Sequence, residues 1–371
     1  MSQDSKTELP ISSWFGIPRK KFVYFIVVFV VLSSLIYIVF SSFSGVFVQI
    51  GNAAFSAGNE QLGIASYKLA LEFNDDLKDA INHCSYENTL HHYEIAINHC
   101  SHAIEIDKNF STSYFQRGFA YGKLEKYDQA IADFTKSIEI NPRGKKFYVV
   151  RGSTYLSKDQ MDLASADCKK AIELDERYSD AYSCIAGIFI SQGKYDLAIT
   201  NLDKAIELDP KAKLAYYFRG LTHGIRGEND WAIADYARAI EIDPSYSDAY
   251  FQRGMIIYFT QKDYYSAISD FSKAIELDSN NADAYLQRGN AYADTGRFIE
   301  AIADYQKTLA TSQDPKRNSY TNCVLGVTYT KMGNFESAIT SLEQGVKIDV
   351  TNNIGWCKTA LENARQGIPT P

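Results

Sequence analysis

Cysteine is sparse in this sequence: six residues in 371, too dilute for the disulfide framework of a small secreted module. Basic residues are in deficit, 38 against 45 acidic ones, for a net charge of −7. A surface of that sign does not neutralise phosphates, which excludes nucleic acid as a main partner. No glycine-rich phosphate loop, H-E-x-x-H pair or G-x-S-x-G elbow occurs. Carboxylates recur instead as E-L-D or E-I-D at the ends of helical segments, as solvated residues or loop formers. We therefore expect neither an enzyme nor a bound cofactor. Disorder is excluded as well, because 46% of the residues are hydrophobic, enough to build a core.

One long apolar run is present. Phe22 to Phe40 reads FVYFIVVFVVLSSLIYIVF, nineteen residues without a charge. At helical rise it matches a hydrocarbon core of about 30 Å. Tyr24, Tyr37 and Phe43 fall near the expected interfaces. Arg19, Lys20 and Lys21 precede the run, and the next basic residue is Lys68. The positive-inside bias then predicts a cytoplasmic tail over 1–21, a signal-anchor helix over 22–43, and the remainder on the periplasmic or exoplasmic side. A cleaved signal peptide would have a shorter run and a small-residue cleavage site, which Ser41 to Gln49 does not offer. On an organelle surface, the same segment would leave the large part in the cytosol.

The rest of the chain repeats. Residues 113–142, 214–244, 248–278 and 283–310 superimpose with a shift of 34 residues between units. Gly118, Tyr121, Ala130, Phe134 and Pro142 show the pattern, and Gly152, Tyr155, Ala164, Cys168 and Ala171 repeat it with a cysteine in the second aromatic slot. Apolar residues recur at spacings of three and four, the period of an amphipathic helix. Pro142, Pro210 and Pro244 stand where a further helical turn would clash. A single two-helix unit cannot bury its apolar stripe, whereas a stack of units can. The pattern resembles the tetratricopeptide repeat family over about five-sixths of the chain. That resemblance implies an all-α fold, a right-handed α-solenoid of tandem helix–turn–helix repeats behind one transmembrane helix.

Nine units are expected over 44–352, at 44–76, 77–110, 111–144, 145–178, 179–212, 213–246, 247–281, 282–315 and 319–352, followed by a capping helix and tail over 353–371. The seventh carries one extra residue before Ala267, and Lys316 to Asn318 intervene before the ninth.

The units can be compared with one another. The seventh position is Arg in five of them: Arg117, Arg151, Arg219, Arg253 and Arg288. The position sixteen or seventeen residues later is Asp in those same five: Asp133, Asp167, Asp235, Asp270 and Asp304. This covariation predicts an Arg–carboxylate pair across the two helices, structural in role. In the second unit the two positions are His83 and His99, each followed by a cysteine, Cys84 and Cys100. Three readings stand open there: cysteines filling core positions after a local duplication, a Cys84–Cys100 disulfide, and a zinc or copper site on all four residues. Neighbouring residues point about 100° apart on a helix, which disfavours the metal.

In the family that the chain resembles, first helices line a concave surface. The residues placed there are Phe115, Phe119, Val149, Tyr217, Leu221, Phe251, Met255 and Leu286, either as a groove for a peptide or as packing between neighbouring helices. Some family members clamp a partner's C-terminal carboxylate with a Lys and an Asn on one first helix. Phe115–Phe119 and Phe251–Met255 occupy those places here, so a carboxylate-clamp chaperone partner is not expected. The resulting expectation is a membrane-anchored scaffold or adaptor that binds proteins or peptides. The alternative is a metal- or redox-responsive module centred on the second unit.

Overall fold

The computed structural model describes residues 42–54, 57, 59–348 and 355–369. The tail and nearly all of the apolar segment expected to be an anchor lie outside them. Among the described residues, no helix is long and apolar enough to cross a membrane. Every regular element among those residues is helical.

The chain divides into two units, one up to Glu176 and one from Arg177. The first holds α1 (42–54), α2 (Glu60–Glu72), α3 (Asp75–Thr89), α4 (Tyr93–Ile106), α5 (Ser111–Lys123), α6 (Tyr127–Ile140), α7 (Lys145–Ser157) and α8 (Met161–Leu174). The second holds α9 (Ser179–Ser191), α10 (Tyr195–Leu208), α11 (Lys213–Ile225), α12 (Asn229–Ile242), α13 (Ser247–Ile256), α14 (Tyr264–Leu277), α15 (Ala282–Asp294), α16 (Phe298–Thr311), α17 (Pro315–Lys331), α18 (Phe335–Ile348) and α19 (Gly355–Arg365). Consecutive helices pair, and within each unit one pair packs on the next. The fold is an all-α solenoid of repeats.

Inside each pair, the turn passes through one residue with positive φ: His91, Glu125 and Asp159 in the first unit, and Gly193, Gly227, Lys262, Gly296 and Gly333 in the second. The pair closes on small residues. Ala130, Ala164, Ala198, Ala232, Ala267, Ala301 and Ala338 are all fully buried on second helices. Gly118 lies so close to Phe134 that a Cβ there would sit 2.8 Å from the ring, and Gly289 meets Tyr305 in the same way. At the start of several first helices a serine hydroxyl anchors the partner helix, Ser179 to the Ala205 carbonyl (3.0 Å) and Ser319 to that of Gly345 (2.8 Å).

Two irregularities stand out. The extra residue of the seventh repeat is absorbed as a π-helical turn, Ile257–Gln261, that continues α13 and ends at left-handed Lys262. The three residues before the ninth repeat lengthen α17 at its N-terminus, so the helix starts at Pro315 and not near Ser319. Asp314 caps it by accepting from the Lys316 amide at 3.0 Å, and Pro315 fits a first turn whose N–H has no helical partner. The cap helix α19 repeats the spacing of a first helix, with Ala360 in the glycine position. It packs on Cys323, Ala338 and Leu342.

Candidate functional site

The most regular polar feature is a guanidinium fork. In all five Arg–Asp pairs, Nε and Nη2 of the arginine each donate to one carboxylate oxygen at 2.7–2.9 Å. The aspartates are 5–6% exposed. In four pairs Nη1 reaches back to the second helix of the preceding repeat: Arg117 to Ser101, Arg151 to Thr135, Arg219 to Asp203 and Arg288 to Ser272, at 2.6–3.1 Å. A tyrosine three residues upstream lies under each guanidinium, at 5.5–5.8 Å: Tyr114, Tyr148, Tyr216, Tyr250 and Tyr285. These arginines stitch three helices together, and the aspartate hydrogen bond raises the guanidinium pKa of Arg151 and Arg219 further above its ordinary value.

In the second repeat, the His83 and His99 rings face each other at 5.2 Å, in the register used elsewhere by Arg and Asp. Cys84 and Cys100 are fully buried and joined in a disulfide, Cα atoms 5.1 Å apart. They occupy the positions of Gly118 and Phe134, where paired helices come closest, and this proximity brings two sulfurs into bonding range. Bonded sulfurs offer no thiolate to a metal, and among the described residues no group of three or more His, Cys, Asp or Glu could hold one. The Cys323 and Cys357 side chains form another disulfide. It links equivalent positions of successive first helices, across a sequence separation of 34. That separation is one repeat period, a signal that was present in the sequence. No free cysteine occurs among the described residues.

The residues assigned to the inner face fall into two registers. At the fifth repeat position, Phe115 and Leu286 are buried, while Val149, Tyr217 and Phe251 are half-buried. Phe115 packs between Phe134 (5.9 Å) and Phe147 (5.3 Å), Phe251 against Phe271 (5.9 Å), and Tyr217 between Tyr236 and Tyr246. These side chains serve mainly as packing between neighbouring helices. Phe119, Leu221 and Met255, one turn on, are half-buried. None of these eight residues is exposed.

The second unit holds a cavity of about 520 Å³ between α13, α15, α17 and α19. Tyr258, Phe259, Asp294, Arg317, Tyr320 and Trp356 are among its walls, together with the predicted Leu286. Tyr258 donates to Asp294 at 2.6 Å, and Arg317 is paired with Asp283 at 2.7 Å. Sequence periodicity missed Tyr258, Phe259 and Arg317 because they belong to the two irregular segments.

Family models for the tetratricopeptide repeat match residues 111–143, 146–178, 214–246 and 280–349, and a TPR repeat model matches 186–224 and 257–296. Together these stretches make up more than half of the chain. No curated protein matches it. Among solved structures, it is similar to a chain in the crystal structure of the APC/C hetero-tetramer Cut9–Hcn1, with 18% identity and a TM-score of 0.58 over 76% of this chain. The match spans about half (54%) of that chain's length. It is also similar to pilF of Pseudomonas aeruginosa, with 17% identity and a TM-score of 0.51, over 60% of this chain and 96% of that one. At such identities the likeness is one of fold.

Proposed function

Given that the chain belongs to the tetratricopeptide repeat family, we propose that it is a membrane-anchored scaffold binding partner proteins or peptides through the face made by its first helices. Repeat proteins of this kind generally present such faces to other proteins. The observation that carries the reading is the run of half-buried apolar side chains on successive first helices, Leu221 and Met255 among them, together with the cavity of the second unit. Binding there rests on shape and apolar complementarity, with no chemistry performed on the partner.

The charge-free run at 22–40 and the basic residues before it support an anchor with a cytoplasmic N-terminus. The disulfides Cys84–Cys100 and Cys323–Cys357 support repeats on the oxidising side of that membrane. A reporter fused after Pro371 tests this, since activity of a cytosol-only reporter would overturn the orientation. Photo-crosslinking from position 251 in living cells tests the surface. Partners captured there should be lost on Leu221→Ala and Met255→Ala, and an unchanged set of partners would sink the reading.

A further inference from the structure

The two places where the chain departs from its 34-residue period wall the same cavity. The extra residue of the seventh repeat makes the π-turn that presents Tyr258 and Phe259, and the lengthened α17 presents Asp314 and Arg317. The other pairs of the second unit pack without either device, so repeat packing does not call for them. π-turns inside helices are rare and concentrate at functional sites.

The charge in this cavity is distinctive. Asp294 ends α15 with its carboxylate held by the Tyr258 hydroxyl, and no cationic side chain pairs with it among the described residues. Arg317 is occupied by Asp283, bonding through Nε and Nη2 at 2.7 and 2.9 Å. Lys331 also lies on the wall and makes no ion pair with Asp294. The same cavity is lined by aromatic rings that are well exposed: Phe259 is 59% exposed, Trp356 43% and Tyr320 39%. Tyr320 and Trp356 meet edge to face at 6.0 Å, and Tyr258 meets Phe259 in the same way at 4.7 Å. Burial first pushes the hydroxyls of Tyr258 and Tyr320 above the ordinary phenol range, followed by the hydrogen bond to Asp294 for Tyr258 and by the Asp294 charge for Tyr320.

An unpaired carboxylate beside open aromatic faces suits one ligand chemistry, a cation on an apolar stem. The geometry points to a pocket for a basic side chain, arginine or lysine, carried on a partner peptide, with Asp294 as counter-ion and the rings of Tyr258, Phe259, Tyr320 and Trp356 around its stem. This deepens the reading of the first-helix face as the binding surface and rests on it.

The test uses the full chain in detergent micelles with fluorinated tryptophan, observing the Trp356 resonance. The probes are acetylated heptapeptides whose central residue, flanked by phenylalanine, serine and glycine, is arginine, lysine, citrulline or glutamate. Arginine and lysine peptides should shift the resonance and bind about tenfold tighter than the uncharged citrulline peptide. Asp294→Asn, which can still accept from Tyr258, should abolish that preference, and Phe259→Ala, at a ring that is largely exposed, should weaken the basic peptides several-fold. Equal binding of arginine and citrulline peptides, or a preference that survives Asp294→Asn, would overturn the proposal. If no peptide binds, this pocket reading falls, while partner capture from position 251 independently decides whether the wider surface does.

Discussion

Arg151 and Asp167 meet as a two-point fork across α7 and α8, with both bonds at 2.8 Å and the carboxylate 6% exposed. The remaining guanidinium nitrogen donates to Thr135 of the preceding pair at 2.9 Å. One side chain thus sets both the angle within a repeat and the stacking onto its neighbour. Removing only the arginine strands a buried carboxylate. Arg151→Met should therefore cost about 3–5 kcal/mol, whereas Arg151→Met combined with Asp167→Leu should cost much less, because both desolvation penalties vanish together. Urea unfolding of the two variants and of Asp167→Leu completes the cycle. Additive losses would show that the two residues do not act as a pair.

The Cys323–Cys357 bond ties α19 to α17 over one repeat period. Replacing both residues by serine should lower the protection of α19 against opening by about 3–4 kcal/mol, the chain-entropy value for a loop of that length. Amide hydrogen exchange reads this directly. The effect should fall on α19 and α18 and leave α9 to α12 as they were.

Gly118 and Gly152 fill the same repeat position but face different neighbours. A Cβ at Gly118 would lie 2.8 Å from the Phe134 ring, whereas at Gly152 the nearest atoms stand at 3.2 Å, one of them the Cys168 sulfur. Gly118→Ala should destabilise by about 1–3 kcal/mol through overpacking. Gly152→Ala should cost less, since the gain in helix propensity of about 1 kcal/mol offsets a milder clash. Thermal unfolding of the two variants under one condition ranks them.

The tyrosine network makes the fold sensitive to alkali. Burial holds the hydroxyls of Tyr67 and Tyr217 up at about 12, against an ordinary value of 10.0, and displaces those of Tyr236, Tyr246 and Tyr305 in the same direction. Between those two values the folded protein keeps protons that the unfolded chain has released. Stability should therefore be unaffected below pH 10 and fall as pH rises from 10 towards 12. Tyrosinate absorbance recorded alongside circular dichroism checks this. The buried group should ionise together with loss of helix.

Much of the architecture could be read from the sequence, because a repeat states its own packing rules several times. The small residues Gly118 and Ala130 mark where helices approach, and the joint appearance of Arg and Asp in five units gives a contact without any second sequence. What periodicity could not give lies where the period breaks. A residue added before Ala267 could have been a longer loop, but hydrogen bonding within α13 takes it up as a π-turn, and only coordinates place Tyr258 against Asp294. The burial of Phe115 and Leu286 was equally hidden, since a first-helix position faces either solvent or the next repeat according to the stacking angle. The Cys84–Cys100 disulfide stayed one of three open readings for another reason, and Cys323–Cys357 was not anticipated. Cys84 and Cys100 look like core residues until the separation of the two helices at the glycine position is known.

The π-turn also has a consequence for how the chain tolerates change. An extra residue within an ordinary helix rotates everything after it by about 100°, which would turn the apolar stripe of each later element out of the core. Here the wider turn between Ile257 and Gln261 takes up the whole displacement, and α14 resumes with Ala267 and Phe271 fully buried in their usual places. The disturbance is confined to five residues on one wall of one cavity. The insertion is therefore detachable: a one-residue deletion within that turn would return the seventh repeat to the common length and reshape the pocket, leaving the other repeats in phase.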